Sequence, residues 1–106
     1  MARWVEVCAV SDIEPEDVVQ FAHQGREYAI YNSRSGFYAS DDLCTHQHAH
    51  LSNGLVIGDV IECPLHQGRF HIPSGKALSP PACVHLRTYP VKAEAGQLYI
   101  HLESEA

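Results

Sequence analysis

The chain has 106 residues, of which 45% are hydrophobic, and this length and composition predict one folded domain rather than a disordered segment. Its formal net charge of −6 disfavours nucleic acid as a partner, because binding to phosphates needs basic surface. No apolar run is long enough to cross a membrane, and the first residues enter an alternating strand instead of a signal peptide, so we expect a cytoplasmic protein. Four cysteines in such a chain favour metal ligands or free thiols over a disulfide framework.

The pattern predicts short strands and turns along the whole chain, and it has no helical periodicity over three turns. A first strand is predicted at 4–10, followed by a hairpin of strands 17–23 and 26–32 about Gln24-Gly25. A Pro-rich loop is predicted at 79–81, where neither proline can donate a backbone hydrogen bond. Further strands are predicted at 37–40, 55–57, 60–62, 69–72, 86–91 and 97–102, the last two forming a hairpin about Ala95-Gly96. Many short strands with regular turns indicate a small antiparallel sandwich or barrel.

Two cysteine–histidine boxes lie in predicted loops, Cys44-Thr45-His46 and Cys63-Pro64-Leu65-His66. Thiolates suit iron–sulfur clusters and zinc, and imidazole suits iron and zinc. A structural zinc site with two Cys and two His typically has a cysteine pair followed by a histidine pair on a helix. Here Cys and His alternate, one residue separates the first pair, and no helix is predicted to follow. The order and spacing therefore favour an iron–sulfur cluster, with a regulatory zinc-binding module as an alternative.

The arrangement Cys-x-His…Cys-x-x-His resembles the Rieske [2Fe–2S] family, in which two histidines replace two cysteines on one iron. The resemblance implies one Rieske-type [2Fe–2S] cluster per chain, with Cys44 and Cys63 on one iron and His46 and His66 on the other. It also implies an all-β fold, a Rieske-like antiparallel sandwich or barrel formed by a single domain, 1–106. Within it we expect a small cluster-binding subdomain at about 43–82, made of two loops and the Pro loop.

Two departures place the chain within that family. High-potential members have an extra cysteine in each cluster loop, and the two form a disulfide; the corresponding positions here are Ala49 and Leu65. High-potential members also donate Ser and Tyr hydroxyls to cluster sulfurs, where this chain has Gly68 and Phe70. Hydrogen bonds to sulfur favour the reduced cluster, so their loss lowers the potential. The chain therefore resembles the low-potential bacterial Rieske ferredoxins that serve aromatic-ring-hydroxylating dioxygenases.

This resemblance implies a one-electron carrier and not an enzyme. It would accept an electron from a flavin-dependent NAD(P)H ferredoxin reductase and pass it to the Rieske centre of a terminal oxygenase, and both contacts would be transient. Four filled ligand positions leave no place for a substrate, so we expect no catalytic residue. The alternative is the small Rieske-like subunit of an assimilatory nitrite reductase, which often lacks a complete ligand set.

The remaining candidates have two interpretations each. The histidines beside the first box are either solvated loop residues, which we favour, or a second metal site. The other two cysteines are expected to be small, inert thiols rather than ligands. Nearby acids form either a docking rim around the loop tips or solvated loop positions. The histidines are His48 and His50, the cysteines are Cys8 and Cys83, and the acids are Asp41, Asp42, Asp59 and Glu62.

Overall fold

The computed structural model describes residues 2–45, 49–64, 68–79 and 84–103, which form three antiparallel sheets and two short 3-10 turns. The strands are β1 (Ala2–Ala9), β2 (Asp17–His23), β3 (Arg26–Ser33), β4 (Gly36–Asp41), β5 (Leu55–Ile57), β6 (Val60–Glu62), β7 (Arg69–His71), β8 (Ala77–Ser79), β9 (Thr88–Tyr89), β10 (Val91–Glu94) and β11 (Gln97–Glu103). The 3-10 turns are Val10–Asp12 and Leu51–Asn53. In this part of the chain no helix is long and apolar enough to cross a membrane. The predicted all-β antiparallel fold is confirmed.

The strand order is β1-β11-β10 in the first sheet, β2-β3-β4-β9 in the second and β5-β6-β7-β8 in the third. Four consecutive residues of β3, 28–31, are buried. Since alternate side chains point to opposite sides of a strand, β3 is buried on both faces. Tyr28 and Ile30 belong to a core shared with the first sheet, whereas Ala29 and Tyr31 belong to a core shared with the third sheet. The second sheet is therefore the middle layer, and the third sheet carries one of the two predicted boxes on its own hairpin.

Two hairpin turns match the predicted positions. Gln24 and Gly25 have φ of 50° and 79°, and Ala95 and Gly96 have φ of 51° and 81°. Positive φ at both central residues is the geometry of the two-residue turn whose twist suits antiparallel strands. Strands β2 and β3 are therefore joined as expected, and so are β10 and β11.

The predicted strand 86–91 is divided between two sheets. Thr88–Tyr89 pairs with β4, whereas Val91–Glu94 pairs with β11. Pro90 lies between them and has no N–H with which to continue a ladder, although its carbonyl accepts a hydrogen bond from the His101 N–H at 2.9 Å. The chain changes sheet at this proline.

Three short elements were not predicted, and one of them is the 3-10 turn Leu51–Asn53. The 3-10 turn Val10–Asp12 follows directly on β1, where the Asp12 carboxylate accepts a hydrogen bond from the Ala9 N–H at 3.1 Å. Strand β8 precedes the Pro loop, pairs with β7 alone and has a register shift. Three residues at a sheet edge are too few to show an alternating pattern.

The turn between β5 and β6 is attached to the turn between β3 and β4. The Ser35 backbone N–H and hydroxyl donate to the Asp59 carboxylate at 2.9 and 2.6 Å, and the Arg34 N–H donates to the Gly58 carbonyl at 3.0 Å. The hydrogen bonds from Ser35 lower the pKa of Asp59. The Asp59 carboxylate thus joins the two turns. These contacts orient the β5–β6 hairpin, and with it the start of the second box.

Gly54 lies where the chain leaving the first box passes β6. A Cβ at this position would meet the carbonyl oxygen of Glu62, which is backbone and cannot rotate away. We expect Gly54→Ala to lower the free energy of unfolding by about 1–3 kcal/mol, the usual cost of overpacking. Chemical denaturation measures it, with the adjacent exposed Asn53→Ala as the control that should change stability by less than about 0.5 kcal/mol. Equal stabilities for the two variants would contradict this prediction.

Candidate metal centre

The first box begins at the base of a hairpin-like loop that follows β4. Leu43 and His50 form an antiparallel bridge across its base. Inside this bridge the Cys44 N–H donates to the Ala49 carbonyl at 2.8 Å. The loop is therefore closed by a backbone hydrogen bond between its first and sixth residues. His46 is inside it, at a position outside the described residues.

The second box begins at the base of the loop between β6 and β7, and this loop is closed in the same way. Glu62 and Arg69 are paired across the base, and the Cys63 N–H donates to the Gly68 carbonyl at 2.7 Å. In both loops the cysteine is the first of six residues, and four residues separate the hydrogen-bonded pair. The histidine falls within those four in each case, and His66, like His46, lies outside the described residues.

Both box cysteines are buried in the same hydrophobic core. Cys44 is 3% exposed and Cys63 is 1% exposed, and they share this core with Tyr31, Phe70 and Leu86. The core lies between the second and third sheets, so it brings together two loops that are far apart in sequence. Buried thiols at equivalent places in two loops are suited to ligate a soft metal centre away from water.

No group of three or more His, Cys, Asp or Glu that could hold a metal ion is found within residues 2–45, 49–64, 68–79 and 84–103. The described part of the site consists of the two cysteines, and the two histidines of the boxes complete the set only by prediction. Two thiolates and two imidazoles are the donor set of a Rieske-type cluster, and the described half of the set fits its all-sulfur iron.

Thr45 connects the first loop to the segment after the Pro loop. Its hydroxyl donates to the Val84 carbonyl at 2.8 Å. The Pro loop at 80–81 and Cys83 lie outside the described residues, so the position of the Pro loop beside the cluster remains a prediction. The sequence reasoning did not identify the role of Thr45, because a hydroxyl bonded across 39 positions leaves no local pattern.

The acids near the boxes do not form one exposed rim. Asp42 has no exposed surface, so its assignment to either a docking rim or a solvated loop is wrong. Asp41 is partly exposed and accepts a hydrogen bond from the Tyr89 hydroxyl at 2.6 Å. Glu62 is only 17% exposed at its side chain and accepts from Arg69 Nε at 2.9 Å. These carboxylates hold the strands at the bases of the loops.

The other candidate residues have ordinary surroundings where the structure describes them. His50 Nε2 is 3.0 Å from Glu27 Oε1, and its side chain is partly exposed. His48, its partner in the alternative of a second metal site, lies outside the described residues. Cys8 is partly buried on β1, and burial together with the charge of Asp12 raises its thiol pKa, which agrees with an inert thiol.

Fold and loops together define an all-β protein with a paired-loop metal centre of the iron–sulfur type. The chain belongs to the Rieske [2Fe-2S] domain family, whose model matches residues 3–90. It therefore carries a Rieske-type [2Fe–2S] cluster, as the order of the boxes predicts.

Similar proteins indicate which kind of Rieske protein this chain resembles. The chain is 46% identical over 100 residues to the ferredoxin component of the naphthalene 1,2-dioxygenase system of Pseudomonas putida, covering 94% of this chain and 96% of that one. It is similar to a chain in the solved complex of reduced oxygenase and oxidized ferredoxin in carbazole 1,9a-dioxygenase, with a TM-score of 0.89, 38% identity, and coverage of 97% and 96%. A chain described as an NADH-dependent nitrite reductase small subunit from Mycobacterium tuberculosis has a TM-score of 0.84, with 99% of both chains covered, but only 20% identity, and so shares the fold alone.

Proposed function

We propose that this chain is the ferredoxin component of an aromatic-ring dioxygenase system. It takes one electron from a flavin-containing NAD(P)H reductase and delivers it to the Rieske centre of a terminal oxygenase. The observation that carries the proposal is the pair of buried cysteines at equivalent positions of two closed loops. Similarity along nearly the whole length to ferredoxin components of such systems supports it. The chain acts as a single cytoplasmic domain, 1–106, with its cluster-binding subdomain at about 43–82.

Within this proposal each ligand has a separate role. Cys44 and Cys63 would hold one iron in the interior, and His46 and His66 would hold the other at the loop tips. The cluster supplies a group that gains and loses one electron. The protein excludes water from the cysteines and fixes the two loops by their backbone hydrogen bonds. With all ligand positions filled, substrate binds to the oxygenase and this chain carries no catalytic residue.

The nitrite reductase subunit is the weaker candidate. The similarity to such a subunit extends to the fold alone, whereas the ferredoxin component of the naphthalene 1,2-dioxygenase system is 46% identical. In addition, the sequence has Cys and His at all four predicted ligand positions.

Reconstitution tests the proposal. The purified chain is mixed with the reductase and oxygenase components of the naphthalene 1,2-dioxygenase system, in place of that system's own ferredoxin. NADH-dependent formation of oxidised product should depend on this chain, and the Cys63→Ser variant should give none. Metal analysis of the same sample should find iron and acid-labile sulfide in equal amounts and no stoichiometric zinc. A zinc protein that transfers no electrons would overturn the proposal.

The electron is expected to leave by the histidine edges at the loop tips, so partners should dock there. Introducing a charge at the tip by Gln67→Lys or Gln67→Glu should change the rate of electron transfer and its salt dependence, because interface charges act mainly on association. The cluster's absorption spectrum should stay the same. The control is Glu94→Lys, at an exposed position on β10 of the first sheet. If the Glu94 variant slows transfer and the Gln67 variants do not, the electron leaves by another face.

A further inference from the structure

Asp42 is the only charged residue in the described part of the chain that is buried. Its carboxylate accepts hydrogen bonds from Gln20 Nε2 at 2.7 Å, the Ser52 N–H at 2.7 Å and the Ser52 hydroxyl at 2.9 Å. All three donors are neutral groups. They satisfy the carboxylate without a cation, so its negative charge is hydrogen-bonded but not cancelled.

The contacts of Asp42 join the two ends of the first cluster loop. The residue lies two positions before Cys44, and its main-chain carbonyl accepts the Leu51 N–H at 2.6 Å, just beyond the bridge that closes the loop. The bonds from Ser52 reach the same 3-10 turn, Leu51–Asn53. Gln20 attaches this assembly to β2 of the middle sheet. Asp42 therefore holds the base of the loop that carries Cys44.

The carboxylate also lies on the interior side of the loop, because Asp42 has no exposed surface and is two residues before the buried Cys44. Burial raises the pKa of Tyr31, and the charges of Asp42 and Cys44 raise it further. Tyr31 donates to Ser40, whose own hydroxyl donates to the Asp41 carbonyl at 2.9 Å. Tyr31, Ser40 and Cys44 are buried like Asp42, and Tyr31 and Cys44 belong to the core that contains both box cysteines.

We propose that Asp42 is a positioning residue of the cluster site and that its buried charge holds the reduction potential down. Reduction adds negative charge to the cluster, and a nearby carboxylate in a medium of low dielectric constant opposes it. The hydrogen-bond donors around the Asp42 carboxylate partly offset its negative charge. The loss of one donor should therefore lower the reduction potential further. The inference rests on the proposed function, in that it needs the cluster to be held by Cys44.

The test compares Asp42→Asn with Asp41→Asn in the full, cluster-loaded chain. Asparagine keeps the shape of the side chain and an oxygen for the Ser52 N–H, and both variants remove one negative charge. The midpoint potential is measured electrochemically without partners, and the paramagnetic spectrum of the reduced cluster checks that ligation is unchanged. We expect an upward shift in Asp42→Asn that exceeds the shift in Asp41→Asn, because Asp41 is partly exposed and its charge is better screened.

Ser52→Ala separates charge from structure. It removes the hydroxyl donor but keeps the carboxylate and the Ser52 N–H, so the potential should shift downward. A purely structural role for Asp42 predicts shifts of the same sign in Asp42→Asn and Ser52→Ala, because both loosen the same loop. Opposite signs support the inference, and equal signs overturn it. A shift of the midpoint potential in Asp42→Asn that is no larger than the shift in Asp41→Asn also overturns the inference.

If Asp42→Asn fails to hold a cluster, the Ser52→Ala variant decides. A downward shift then supports the inference, and an upward shift or none overturns it. Failure of the proposed function would look different, because the wild-type chain itself would then lack the spectrum of a [2Fe–2S] cluster.

Discussion

Replacing His66 with alanine is expected to remove the cluster. The wild-type protein should contain two irons and two acid-labile sulfides, and the reduced protein should show the low average g-value of mixed His and Cys ligation. Without the imidazole, one iron would lack one of its protein ligands. His46→Ala should have the same result. Iron and sulfide assays and the visible spectrum measure the loss.

His50→Ala is the matched control for both variants. It removes an imidazole next to the loop that carries His46, but this side chain contacts Glu27 at 3.0 Å and is partly exposed. Full cluster content is expected. An intact cluster with a normal spectrum in His66→Ala would rule out the ligand assignment, and a cluster lost in His50→Ala would show that a residue outside the boxes is needed.

The second large effect concerns the reduction potential. We expect the wild-type midpoint near the bottom of the Rieske range, about −150 mV, and nearly constant between pH 6 and 8. Replacing two thiolates with imidazoles makes the oxidised cluster formally neutral, which raises the potential above that of all-cysteine ferredoxins. The positions of the disulfide and hydroxyl donors of high-potential relatives hold Ala49, Leu65, Gly68 and Phe70, which cannot supply them.

Phe70→Tyr should therefore raise the midpoint. Phe70 is fully buried on β7, in the core that contains both box cysteines, and a hydroxyl there can donate to a cluster or cysteine sulfur. If this hydrogen bond is about 1–2 kcal/mol stronger to the reduced cluster than to the oxidised one, the midpoint potential rises by about 40–90 mV. Phe37→Tyr is the control, since Phe37 packs against the other core, between the first and second sheets. A midpoint well above zero for the wild-type protein, or no shift in Phe70→Tyr, would contradict this account.

The order of the two boxes and the turn signals could be read directly from the sequence. Metal choice depends on ligand type and spacing, and both are visible as Cys44-x-His46 and Cys63-x-x-His66. The hairpin about Gln24-Gly25 was predictable for a similar reason, because its backbone geometry is a local property of two residues. Short-range chemistry of this kind needs no knowledge of the rest of the fold.

The tertiary structure alone decided which neighbouring residues are buried and which strands pair. Asp41 and Asp42 are identical in sequence terms, yet one is partly exposed against Tyr89 and the other is enclosed by Gln20 and Ser52. The division of a predicted strand at Pro90 likewise depends on where β4 and β11 lie. The partners that distinguish the two aspartates are 10 to 48 residues away, so no local pattern could identify them. The sequence by itself determined the metal chemistry and the positions of the loops, whereas the charged residue behind the loop became visible only through packing between distant segments.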